Sequence, residues 1–143
     1  MQSRTLYFEQ PGKGNTEATL QIAAERAQAL GITQVVLATN HGYTAETAHR
    51  IFAGTGVKLI AVTISAAYSP EGWVMTPAER QAIEAEGIPV VMCLNGLTGG
   101  VNDALADSAP GKVICKTYYT FGQGMKVAVE VAIMAADAGM LDM

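Results

Sequence analysis

Two short segments combine glycine with hydroxyl and amide side chains just before a predicted helix, a pattern that can bind an anion. They are Pro11–Thr16 and Thr39–Ala45. Glycine lets backbone approach a ligand, and the amino end of a helix offers free N–H groups with roughly half a positive charge. Ordinary helix capping produces the same pattern. The candidate phosphate-binding residues are Gly12, Asn15, Thr16, Thr39, Asn40, His41, Gly42 and Thr44.

A polar stripe interrupts the largely apolar helix predicted at the end of the chain. Lys126, Glu130 and Asp137 are spaced by four and seven residues, which places them near one face of that helix. Buried charges are costly unless they are paired. The stripe therefore either lines a pocket, with Lys126 meeting a phosphate, or forms an internal ion pair or a solvated surface.

Tyr68 and Trp73 are candidates for ring stacking, because they follow a predicted strand on the side of the sheet where ligands bind. They could stack on a flat ring such as isoalloxazine, or they could only anchor their loop.

Residues for catalysis form no complete set, so the catalytic residues stay unknown. Ser65 and Ser69 have no recognisable His–Asp partners, and Cys93 ends a predicted strand without an identifiable base. His49 is expected at the surface or in an interface. The two cysteines and two scattered histidines do not suggest a metal site, and we expect both thiols to be reduced and buried.

Composition narrows the class of protein. The chain has 143 residues, half of them hydrophobic, and a net charge of −4. No run of Lys and Arg suggests a nucleic-acid partner, and no apolar stretch reaches the roughly 18 residues of a membrane span. The amino terminus lacks the apolar core of a signal peptide. We therefore expect a cytoplasmic protein with neither nucleic acid nor membrane as a partner.

Strand and helix patterns alternate along residues 1–143, which predicts a single α/β domain with a mainly parallel sheet and helices on both faces. The segment Lys112–Cys115 is ambiguous between a short strand and a connector. The last helix is apolar nearly all round, so it should be deeply packed or lie in the interface of a homo-oligomer. The predicted strands are Leu6–Phe8, Gln34–Thr39, Lys58–Ile64 and Pro89–Leu94, and the predicted helices start near Asn15, Thr44, Thr76, Thr98 and Thr117–Gly124.

The stretch Val35–Ala45, followed by Leu59–Thr63, resembles the carboxyl-terminal domain of pyruvate kinase. In that domain a strand leads into a Ser/Thr-Gly-x-Ser/Thr-Ala loop, a helix and a strand ending in Ala-Val-Thr. The loop there holds a phosphate of the sugar bisphosphate activator, so the resemblance implies a phosphate at the second candidate loop.

The whole chain resembles more closely a family of stand-alone, uncharacterised prokaryotic proteins with that fold. The resemblance implies a three-layer α/β/α sandwich and flavin mononucleotide (FMN) or another phosphorylated ligand, without a known reaction. The motifs that carry it are Tyr7-Phe8, Pro11-Gly12, Asn15-Thr16-Glu17, His41–Ala45, Phe121–Gly124 and, as the most specific match, Val129–Gly139.

Members of that family continue past this helix with further strands, whereas this chain ends at Met143. We therefore expect a truncated sheet whose pocket is incomplete or whose exposed edge is covered by a second subunit. Three functions stay open: a binding domain for a phosphorylated ligand such as FMN or a sugar phosphate, an enzyme that is flavin-dependent or acts on a phosphorylated metabolite, and an oligomeric interaction module.

Overall fold

Helices and strands alternate along most of the described chain, as the sequence predicts, and two consecutive helices end it. The computed structural model describes residues 4–97, 99 and 110–142. Two short 3₁₀ turns, Lys13–Asn15 and Ala66–Glu71, accompany the main elements. These elements are α1 (Thr16–Leu30), β1 (Gln34–Ala38), α2 (Tyr43–Phe52), β2 (Lys58–Thr63), α3 (Pro77–Ala85), β3 (Val90–Met92), α4 (Pro110–Tyr119) and α5 (Gln123–Asp137).

The three strands form a parallel sheet in the order β1-β2-β3. Val36 of β1 pairs with Ile60 of β2, and Val62 of β2 pairs with Val91 of β3. The central strand β2 is buried over all but its first residue. Its unbroken apolar run is typical of a parallel strand that is covered on both faces.

Alternate side chains of the strands pack into two separate hydrophobic cores, because successive side chains point to opposite faces of a sheet. Leu37, Leu59 and Ala61 pack with residues of α1, α2 and α3. Ile60, Val62 and Val91 pack instead with Val131, Met134 and Ala135 of α5. The α5 helix thus covers one face of the sheet, and its buried side chains recur at helical spacing.

Local capping signals are confirmed at two helix ends. The hydroxyl of Thr76 accepts a hydrogen bond from the backbone N–H of Glu79. The carboxylate of Glu79 in turn accepts a hydrogen bond from the backbone N–H of Thr76. This reciprocal capping box, with Pro77 at the first helical position, starts α3. Gly31 ends α1 with a left-handed φ of 65°.

One predicted strand was wrong, and one segment that was left ambiguous is helical. Leu6–Phe8 forms no strand, and Tyr7 is 86% exposed. Three apolar residues provide too little pairing surface to fix a strand on local sequence alone. The ambiguous segment Lys112–Cys115 lies inside α4, whose first residue is Pro110. Its β-branched pair Val113-Ile114 suggested a strand, but proline is also well suited to the first turn of a helix.

Element boundaries also differ from the sequence-based expectation. The α2 helix begins at Tyr43 with Gly42 at its cap, so Thr44 lies within the first turn and is not the cap. The last helix is confirmed, as α5. The helix predicted from Thr98 to Ala106 falls outside the described residues. Within the part of the chain that the structure covers, no helix has the length and apolar character that a membrane crossing requires.

Candidate functional site

A cavity of about 500 Å³ opens beyond the carboxyl ends of β1 and β2, beneath α5. This is the edge of a parallel sheet at which ligands bind most often. Ala38 and Thr63 end the two strands at its base, and the first turns of α5 form one wall. The remaining side chains on its lining combine amides, aromatic rings and one ion pair, including Asn40, Asn95, Tyr68, Trp73, Tyr119, Gln123, Lys126 and Glu130.

The ion pair on the cavity wall joins Lys126 to Glu130, one helical turn apart on α5. The lysine ammonium donates a hydrogen bond to one carboxylate oxygen of Glu130. The other oxygen accepts the backbone N–H of Leu97 at 3.3 Å. Lys126 is only 7% exposed and Glu130 only 6%. Mutual pairing is what allows two charges to remain buried in this position.

The protonation of Lys126 follows from this pairing. Burial by itself lowers the pKa of Lys126, but the hydrogen bond and negative charge of Glu130 outweigh it, so the pKa is raised. The ammonium therefore stays charged at neutral pH. The internal ion pair considered from the sequence is thus present, and it also lines a cavity. Asp137 does not join it and is exposed.

Thr63 lies at the base of the cavity with an unsatisfied hydroxyl. It is 2% exposed, and its Oγ1 has no hydrogen-bond partner among the described residues. A buried polar group without a partner costs about 1–3 kcal/mol. Thr63 was not among the site residues predicted from the sequence. The available signal was a polar side chain at the last position of an otherwise apolar buried strand.

Tyr68 and Trp73 stack on each other beside the cavity. Their ring centroids are 5.8 Å apart and their planes differ by 14°. The 3₁₀ turn between β2 and α3 positions them. Ser65 caps that turn by accepting the backbone N–H of Ala67, and Gly72 ends it with φ 71°. Half of the Trp73 surface is exposed, so an aromatic face remains accessible.

The loop Thr39–Thr44 lies in a different environment from the one expected for a phosphate site. The backbone N–H of Gly42 donates to the hydroxyl of Thr39 at 3.1 Å, and that bond is buried. A Cβ built on Gly42 would lie 3.3 Å from a carboxylate oxygen of Glu46 and 3.5 Å from the Cδ1 of Ile83. Little space therefore remains on that side of Gly42, and a carboxylate occupies part of it.

The other candidate phosphate-binding residues of that loop lie either in the cavity lining or at the surface. Asn40 lines the cavity. The Nδ1 atom of His41 lies 3.3 Å from Glu79 at the start of α3. The backbone N–H and hydroxyl of Thr76, together with His41, lower the pKa of Glu79. His49 lies on α2 beside Glu86, at 3.8 Å, as a half-exposed side chain.

The first loop is separate from the cavity lining. The side chain of Asn15 donates to the backbone oxygen of Gln10 at 2.7 Å and makes no capping bond to α1. Gly12 precedes the 3₁₀ turn and Thr16 begins α1. The ammonium of Lys13 lies 3.7 Å from the centroid of the Tyr43 ring, so the two candidate loops are neighbours. Of the expected site residues, the cavity lining brings together Asn40, Tyr68, Trp73 and Lys126.

Cys93 follows β3 and is only partly buried. Burial raises its pKa, and the nearby negative charge of Asp137 raises it further. A raised pKa keeps the group as a thiol at neutral pH and lowers its nucleophilicity. Of the two serines considered, Ser65 caps its turn and Ser69 lies within that turn.

A comparison of the chain with models of known protein families finds no match. The chemistry of the cavity is therefore what supports a function for this chain.

Proposed function

We propose that this chain is a binding domain for a phosphorylated small molecule, such as FMN or a sugar phosphate, held in the cavity beyond β1 and β2. The observation that carries the proposal is the buried Lys126–Glu130 pair on the cavity wall. A buried ion pair contributes little to stability compared with apolar side chains of the same volume. Ligand recognition is a better reason for placing one beside a cavity of this size.

The remaining polar groups of the cavity support the same proposal. Thr63 offers a buried hydroxyl whose hydrogen-bonding capacity is unused, and Asn40 and Asn95 add donors and acceptors. Apolar walls with a few convergent polar groups are typical of small-molecule sites. The proposal includes the pyruvate kinase C-terminal-like, three-layer fold and a cytoplasmic location. Helices packed against opposite faces of the sheet support that layering.

The test is a pair of titrations of the full chain. Binding of FMN is measured by flavin fluorescence, and binding of a sugar phosphate is measured by calorimetry. The key variant is the double substitution Lys126→Met/Glu130→Leu, which removes both charges together and keeps similar volumes. We expect the wild type to bind at least one probe and the double variant to bind it at least about tenfold more weakly.

The control is His49→Gln, because His49 lies on the surface of α2. It should leave the affinity unchanged. Two results would contradict the proposal: a wild type that binds no phosphorylated probe, or a folded double variant with unchanged affinity. Circular dichroism establishes whether the double variant is folded.

A second function, assembly with another copy of this chain, is favoured by the outer face of α5. Met125, Ala128, Ala132 and Ala136 recur there at helical spacing and are exposed, opposite the buried ion pair. An apolar helix face of this kind is typical of an interface. The two functions are compatible, because they use opposite faces of one helix.

A further inference from the structure

The two edge strands of the sheet differ in how well their sequence prevents further pairing. The strand β3 is only three residues long and follows directly after Pro89, and both features limit the addition of another strand. The strand β1 has five residues, and none of them is a proline, a glycine or a charged residue. The outer edge of β1 therefore lacks the features by which proteins prevent strands from pairing there.

The register of the sheet identifies the backbone groups at this outer edge. The backbone N–H of Thr39 donates to the backbone oxygen of Val62 in β2. Peptide groups of alternate residues point to the same side of a strand, so those of Gln34, Val36 and Ala38 point away from β2. Within the part of the chain that the structure describes, these outward N–H and C=O groups make no hydrogen bond.

The side chains of β1 are covered from both faces of the sheet but not from its edge. In β2 every residue after the first is buried, whereas Leu37 is the one buried residue of β1. Val35 packs into the core on the side of α1 and α2. Val36 and Ala38 pack into the core on the side of α5. Both helical layers thus reach β1 and stop short of closing over its edge.

Exposed apolar side chains flank this edge in both layers. On one side of the sheet, Leu30 ends α1 and Ile32 precedes β1, and both are exposed. On the other side, α5 packs over β1. The Lys126 side of α5 faces Tyr119 of α4, which shares a cavity with Asn95 after β3. The exposed outer face of α5 therefore lies on the side away from β3, next to the edge of β1.

The strand β1 is self-complementary about its central residue, Val36. In an antiparallel pair, two facing residues whose peptide groups point at each other exchange both hydrogen bonds. A two-fold axis through Val36 therefore pairs it with Val36 of a second copy, and pairs Gln34 with Ala38 of that copy. The outward groups of each β1 are then satisfied by those of the other. Since β1 has no charged side chain, no charges of like sign face each other.

We propose that two copies of this chain pair through β1, antiparallel and centred on Val36, so that their sheets form one continuous sheet. A strand pair of this length is too small to supply the roughly 800 Å² per partner that a stable interface buries. The outer faces of α5 pack beside it on one side of the sheet, and Leu30 and Ile32 pack on the other. This inference rests on the second proposed function, assembly through α5, and specifies its interface.

Sedimentation velocity of the full chain tests this interface with the variant Val36→Pro. Proline lacks the outward N–H at the centre of the pair, and its ring meets the same ring across the axis. The hydrogen bonds between β1 and β2 are retained, because the N–H of Val36 takes no part in them. We expect a wild-type dimer at micromolar concentration and a dissociation constant at least about tenfold higher for Val36→Pro.

The matched control is Met92→Pro at the opposite edge of the sheet. The backbone oxygen of Pro89 accepts the N–H of Ala61 in β2, so the N–H of Met92, three residues later, points away from β2. This substitution likewise removes an outward N–H from an edge strand. It should leave the dissociation constant of the dimer unchanged, because β3 has no part in the proposed interface.

Amide hydrogen exchange of the wild-type chain provides a second readout, which remains if Val36→Pro fails to fold. The N–H of Val36 is free in a single copy and bonded in the proposed dimer. Measured residue by residue, its exchange should be at least about tenfold slower in concentrated than in dilute solution. The exchange rate at Met92 should not depend on concentration.

These measurements separate the inference from assembly through α5. A folded Val36→Pro that dimerises like the wild type overturns the inference, and so does exchange at Val36 that is independent of concentration in a chain that dimerises. If Ala132→Lys nevertheless dissociates that dimer, assembly through α5 stands and pairing through β1 is excluded. A wild type that stays monomeric at high micromolar concentration contradicts both.

Discussion

Charged and polar side chains of this site differ in how far sequence can predict them. The spacing of Lys126 and Glu130 on an apolar helix made an ion pair one of the alternatives, beside a pocket lining and a solvated surface. Asp137 has compatible spacing, yet it lies at the exposed end of α5 and takes no part in the pair. The unpartnered hydroxyl of Thr63 could not be predicted, because it depends on which helix covers its face of the sheet.

Cys93 allows a test of the charges at the carboxyl end of β3. Burial and the charge of Asp137 both raise the pKa of Cys93. Because only the thiolate reacts, alkylation of Cys93 by iodoacetamide at pH 8 should be slower than that of a free cysteine. Asp137→Asn removes the nearby negative charge, so the pKa of Cys93 should fall and its alkylation rate at pH 8 should rise.

Peptide mass spectrometry across pH 7–10 gives the rate at Cys93 separately from that at the buried Cys115. Asp142→Asn is the control, since this exposed carboxylate lies near Lys58 and is not a cause of the Cys93 shift. If Asp137→Asn and the wild type have the same pH midpoint, Asp137 does not influence the thiol.

The elements themselves were predicted best where a local signal fixes them. The capping box at Thr76 and the left-handed Gly31 depend on a few adjacent residues, and both are present. The α4 helix was missed, because Val113 and Ile114 favour a strand while the helix is fixed by how its other face packs. The β1–α2 loop was predicted as a turn, but its contact with α3 is a tertiary feature.

The backbone conformation of the β1–α2 loop favours glycine at position 42, and this can be tested. The Gly42 φ of 92° is unfavourable for any residue with a Cβ, and an added Cβ would lie 3.3 Å from a carboxylate oxygen of Glu46, which is closer than usual. Gly42→Ala should therefore lower the free energy of unfolding by about 1–3 kcal/mol, measured by urea denaturation. Gly87→Ala is the matched control, because Gly87 has a φ of 80° and open space around it.

The control variant should lose only the part of the stability that comes from its backbone conformation. Equal losses in the two variants would mean that the close approach to Glu46 has no energetic consequence. A fully stable Gly42→Ala would mean that the loop adopts another backbone conformation.

At the scale of the molecule, the order of elements was predictable and the extent of the sheet was not. Alternating apolar strands and amphipathic helices predict a parallel α/β arrangement, and the three described strands have it. The fourth predicted strand, Leu6–Phe8, is absent from the sheet. Membership of a sheet depends on an available edge and a partner, and neither can be inferred from three residues.

The outer face of α5 leads to a prediction about assembly. Met125, Ala128, Ala132 and Ala136 are exposed along about three turns of one helix, and burying them against a second copy would be favourable through the hydrophobic effect. Sedimentation velocity should therefore show a dimer or larger species at micromolar concentration. Ala132→Lys places a charge at the centre of this face and should shift the population to the monomer.

Ala82→Lys is the control for that substitution, because Ala82 is an exposed alanine within α3 and has no part in the α5 face. It should sediment like the wild type. A wild type that stays monomeric at high micromolar concentration would exclude self-association through α5. Since the ion pair lies on the opposite side of the helix, Ala132→Lys should leave flavin binding unchanged. If Ala132→Lys abolishes both the dimer and flavin binding, a second copy of the chain completes the cavity.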